Sequence, residues 1–242
     1  MTSTRRLELS AGVFFIVAAV AAIAAFGLYG PVLNNPDYIL SGSSSDAGIR
    51  LGAFLEAIVA ASVIGTGATL FPVVRRQSES VALAYVAGRI LEAVVIVVGA
   101  ISLVSVVTMR HDAAAAAGAD PAALVAVGRS LVAVHDWTFL FGPGLAIGVN
   151  TLLLASLMYR SGLVPRFIAV LGLIGGPVIL VSSAAVLFGL YPQVSALGGL
   201  AALPVTAWEM SLAGWLIVKG FNRTRLIVSA ASGFEAGAYA AA

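Results

Sequence analysis

The sequence predicts an all-α fold: a polytopic membrane bundle of six transmembrane helices with both termini cytoplasmic. Three observations carry the prediction. Of 242 residues, 60% are hydrophobic and 10% are charged, where a soluble domain has roughly 45–50% and about 25%. Mean hydropathy is +1.05, so there are too few charges to cover a water-facing surface. The apolar residues also fall into six runs, each long enough for the roughly 20 residues that cross a hydrocarbon core.

The runs are Ala11–Leu33, Leu51–Val74, Val81–Met109, Leu131–Tyr159, Val164–Leu190 and Leu197–Val218. Each is longer than a barrel strand, and stretches such as Val94–Val98 lack the strict alternation that a barrel needs. Arg5 and Arg6 before the first run resemble the start of a signal peptide. The run that follows exceeds the 7–15 residues of a signal core, so a retained helix is expected. The outer loop 34–50 holds Asn34-Asn35-Pro36 and Ser41-Gly42-Ser43-Ser44-Ser45, a turn-rich stretch expected to be mobile. In the alanine-rich segment 111–130, Asp120 before Pro121 reads as an N-cap followed by proline at the first helical position. A short interfacial helix is expected there, leading into span four. Gly142-Pro143-Gly144 and Gly175-Gly176-Pro177 interrupt spans four and five, and Pro204 precedes Glu209. The expected organisation is one transmembrane domain, 1–225, and a mobile tail, 226–242.

Charge sets the orientation. Nine cations (Arg5, Arg6, Arg75, Arg76, Arg160, Arg166, Lys219, Arg223 and Arg225) fall at one set of span ends, against Arg50, Arg110 and Arg129 at the other. The positive-inside rule places the nine in the cytoplasm. Net charge is only +2, which excludes the clustered basic face of a nucleic-acid-binding domain. The absence of cysteine removes disulfides, thiolate metal sites and cysteine nucleophiles. With two histidines, His-rich zinc hydrolases are excluded as well, and no phosphate loop or nucleophile elbow is present. No metal or cofactor is expected.

Function should concentrate where charge is expensive. An ionisable side chain at a bilayer centre costs roughly 2.5–3.5 kcal/mol on insertion scales, and such groups are usually functional. Counting about 1.5 Å per residue from the span ends puts Glu92 and Glu209 roughly 15 Å deep. Arg89 shares a helical face with Glu92, three residues on, and Asn150 lies at a similar level. Arg89, Glu92, Glu209 and Asn150 are therefore the first candidates, as a cluster that binds a polar group, relays protons or fixes packing. Glu56, His135 and Asp136 form a second group nearer the outer face, with Trp137 as an interfacial anchor. As helix neighbours, His135 and Asp136 point in different directions, which weakens a dyad. An inverted repeat of three plus three spans would match Glu92 with Glu209, but the halves show no sequence similarity.

A further ordered set of elements is Gly88-Arg89-Ile90-Leu91-Glu92-Ala93, His135, Leu157-Met158-Tyr159-Arg160-Ser161-Gly162-Leu163-Val164-Pro165-Arg166, then Glu209 and Trp215-Leu216-Ile217-Val218-Lys219-Gly220-Phe221. This set resembles the bacterial integral-membrane domain of unknown function family forty-three eighty-six, over about Arg5 to Phe221. The resemblance implies a multi-pass protein of the bacterial inner membrane and no particular activity. Two functional expectations follow from the residues. The first is a pocket in which Arg89, Glu92 and Glu209 grip the polar end of a small lipophilic molecule, with or without acid–base chemistry. The second is proton-coupled transport, with Glu56, His135 and Asp136 at the outer entrance. A structural or sensory membrane partner is a third. The expected partners are the lipid bilayer and the lipophilic molecule.

Overall fold

A computed structural model describes residues 3–41, 45–115 and 120–226. The tail beyond Leu226, residues 116–119 of the alanine-rich segment and residues 42–44 of the serine-rich loop lie outside them, and with them the tail and most of the serine run that were expected to be mobile. The described residues form helices and short connections with no strand: α1 (Ser3–Leu33), α2 (Tyr38–Ser41), α3 (Asp46–Val74), α4 (Glu79–Ala115), α5 (Pro121–Phe139), a π-helical segment (Leu140–Ala146), α6 (Ile147–Ser161), α7 (Arg166–Leu187) and α8 (Ala196–Val218). Among the described residues, six helical stretches are long and apolar enough to cross a membrane, the fourth being the continuous run Pro121–Ser161.

Local chemistry explains the boundaries. The Asp120 side chain accepts from Ala122 N at 3.0 Å and Pro121 opens α5, the expected cap. The helix it starts is not a separate interfacial piece. It runs without a break towards α6, because its apolar residues recur at helical spacing from Leu124 onward. His135, expected near the outer end of span four, thus lies well inside α5, which begins at Pro121. Pro143 lacks an N–H and occupies the π-helical turn, where the altered register absorbs the missing bond. By contrast α7 passes unbroken through Gly175, Gly176 and Pro177, and α8 through Pro204.

Packing divides the chain into two compact units. The first comprises Met1–Ile16, Val63–Leu91 and Gly144–Ala242, the second Val17–Ser62 and Glu92–Pro143. In the first unit α6 packs on α7 and α7 on α8, around a core that includes Trp208, Leu212, Leu216, Leu154 and Met158. Lipid offers no hydrophobic drive for helices to associate, so small residues that permit close approach carry such interfaces. A Cβ on Gly175 would lie 2.7 Å from Val205 N, so the α7–α8 backbone contact needs glycine there. In the second unit α2 packs on α5 over a core of Tyr29, Val32, Tyr38, Ile49 and Leu103. Apolar side chains such as Ile23, Ile101 and Val181 remain exposed, as lipid-facing positions do.

The connections of the second unit carry their own polar cluster. Asp46 takes an ion pair from Arg110, a 2.9 Å contact from His111 Nε2 and a 2.8 Å hydrogen bond from the Tyr38 hydroxyl. Burial raises the Tyr38 phenol above its ordinary range, with Arg110 pulling the other way. It stays protonated, and a donor, at neutral pH.

Candidate functional site

Arg89 and Glu209 meet. The guanidinium donates to Glu209 Oε1 at 3.0 Å, with side chains 3% and 16% exposed. Its Nε donates to the Tyr85 hydroxyl at 3.2 Å, and that hydroxyl lies 3.4 Å from Thr66 Oγ1. The Tyr85 and Phe15 rings lie 5.4 and 5.5 Å from the guanidinium carbon, close enough for cation–π attraction. A buried arginine needs this much company, because an unpaired charge in an apolar medium is heavily penalised. Asn150 is fully buried in α6, and its side-chain oxygen fills the space that a Cβ on Gly88 would take. The glycine before Arg89 thus lets α4 approach the amide. Glu92 belongs to the second unit and is 2% exposed.

Within the second unit Glu56 and His135 border the same small cavities, of about 40 and about 10 Å³. The walls are otherwise mostly apolar: Phe26, Val59, Ile96 and Phe139. The Tyr29 hydroxyl donates to Glu56 Oε2 at 3.0 Å. The Tyr29 ring meets His135 edge-on at 5.5 Å, and Phe139 stacks on the imidazole at 6.4 Å. Gly52 makes room for this, since a Cβ there would come within 2.6 Å of the Tyr29 ring.

His135 is 4% exposed and its Nδ1 has no hydrogen-bond partner among the described residues. It lies 3.6 Å from Asp136 Oδ1, on a side chain 61% exposed. The imidazole is buried and the carboxylate exposed, yet the two side chains come within ion-pair distance. Trp137 is 51% exposed. Among the described residues no group of three or more His, Asp or Glu could hold a metal ion.

Sequence reasoning missed Tyr29, Tyr85 and Phe15, because an aromatic residue in an apolar run carries no polar signal of its own. It also missed Glu8. That carboxylate is fully buried in the first unit and holds Arg5 at 3.3 Å, Arg223 at 2.9 Å and the Phe221 N–H at 3.1 Å. An acid two residues after a double arginine was the available clue.

No curated protein and no solved structure matches the chain. A family model does match, over residues 10–220, and the chain belongs to that family, the Domain of unknown function (DUF4386).

Proposed function

We propose that this is a six-span protein of the bacterial inner membrane, with both termini in the cytoplasm, that couples transport to proton movement through Glu56 and His135. One observation carries the reading. A half-buried acid and a buried base, the latter with a ring nitrogen unpartnered among the described residues, border cavities large enough for water and far too small for an organic ligand. Tyr29 positions the Glu56 carboxylate. Asp136, exposed beside the imidazole, links it to solvent, and a water or a ring rotation closes the 3.6 Å gap. Imidazole suits the task because its ordinary pKa is near neutral.

A grip on a small lipophilic molecule by Arg89, Glu92, Glu209 and Asn150 has less geometric support. Arg89 already meets Glu209, Tyr85 and Phe15.

The test is proton movement in proteoliposomes holding a pH-sensitive dye, challenged with a panel of organic ions under an imposed pH gradient. At least one ion should drive a dye response, and Glu56→Gln and His135→Gln should each slow it by about tenfold or more. Variants as fast as the parent protein would remove the pair from the path. Infrared titration of the carboxyl stretch, read without any substrate, tells separately whether Glu56 exchanges a proton.

A further inference from the structure

A further cavity lies elsewhere, entirely within the first unit. It has a volume of about 670 Å³ and is formed by the α6–α7 turn, the end of α8 and the segment after it. Among the described residues of its wall are four cations, Arg160, Arg166, Lys219 and Arg225, and no acid.

The state of the neighbouring cations gives this meaning. Arg5 pairs with Glu8 and bonds the Leu216 and Ile217 carbonyls, and Arg223 pairs with the same Glu8. None of the four around the cavity forms an ion pair with an acid among the described residues. Arg166 lies over the face of Tyr159, at 5.8 Å. Two cations beside the cavity thus share an acid, while those lining it have none among the described residues. Repulsion between four clustered cations is relieved by an anion.

The wall supplies an amphipathic element too. Trp215 borders the cavity, and its buried indole Nε1 has no hydrogen-bond partner among the described residues. A tryptophan with an open N–H, beside arginines that can take oxygens two at a time, suits a phosphate group whose neighbouring atoms are apolar.

We propose that this cavity binds a phosphate group, held by Arg160, Arg166, Lys219 and Arg225 with Trp215 as a further donor. A phosphate of this kind belongs either to an anionic phospholipid headgroup or to a free phosphorylated solute.

The experiment is native mass spectrometry of the full chain in mild detergent, titrated separately with short-chain phosphatidylglycerol, phosphatidylcholine and inorganic phosphate. Retention of phosphatidylglycerol alone supports a lipid site. Retention of inorganic phosphate with equal strength supports a free-solute site. In either case the doubles Arg160→Gln/Arg166→Gln and Lys219→Gln/Arg225→Gln should each weaken binding by about tenfold or more. The double Arg75→Gln/Arg76→Gln, which removes the same charge away from the cavity, should leave it within about twofold. Two cavity doubles guard against one failing to fold, which unfolding in detergent reports. Binding that is absent in the parent protein, or that falls equally in all three doubles, overturns the assignment.

Discussion

Glu8 shows at the scale of one residue what a buried charge does in this protein. Its carboxylate is fully buried and accepts from two guanidinium groups and a backbone N–H. Removing it strands the Phe221 N–H and leaves Arg5 without its carboxylate, while Arg223, half exposed, recovers most of its loss in water. Glu8→Ala should therefore destabilise by about 2–3 kcal/mol, and Glu8→Gln, which keeps an acceptor for Phe221 N, by about 1 kcal/mol. Tryptophan-fluorescence unfolding in detergent reads both; equal losses would mean that the charge itself, not the acceptor, matters. Residue-scale reasoning from the sequence located Arg89 and Glu209 because the cost of intramembrane charge singles such residues out. It could not locate their aromatic company. Tyr85 follows from helical spacing once Arg89 is chosen, four residues on, but Phe15 comes from α1, and only tertiary packing brings it to the guanidinium.

Elements were the most legible level, for a physical reason. An apolar run of membrane-crossing length admits few alternatives to a helix, since lipid leaves backbone groups no other partner. The ends of α3, α6 and α8, at Val74, Ser161 and Val218, fall within two residues of the ends read from the runs. Proline was the weaker guide. Pro143 marks a π-helical turn while Pro177 and Pro204 sit in unbroken helices, and the outcome depends on neighbours that the local sequence does not encode. Glycine likewise has two meanings, which substitution separates. Gly175→Ala would push a methyl into the α8 backbone at Val205, which cannot rotate away, and should cost about 1–3 kcal/mol. Gly214→Ala, with nothing near its Cβ position, should be neutral or stabilise by up to about 1 kcal/mol through helix propensity. The difference between their unfolding midpoints measures the α7–α8 approach. A neutral Gly175→Ala would show that the contact yields.

For the whole molecule the open quantity is orientation, and the charge distribution makes a definite prediction. Cytoplasmic loops retain Lys and Arg because translocating them is unfavourable, and the division here is nine against three with one arginine in a span. A chain with no cysteine needs no background mutations before single cysteines are introduced for labelling. Ser41→Cys and Ser130→Cys are exposed positions near the three-cation ends; Ser80→Cys and Thr224→Cys are exposed near the nine-cation ends. In intact cells a membrane-impermeant maleimide should label the first pair and reach the second only after permeabilisation. The reverse pattern would invert the topology and put Asp136, the solvent link proposed for His135, on the cytoplasmic side. Proton uptake would then begin from the cell interior. It would also turn the phosphate cavity outward, away from cytoplasmic solutes. Split reactivity within either pair would break the six-span count itself, because Ser41 and Ser130 are separated by two spans, as are Ser80 and Thr224 with two more, so that each pair must share a side.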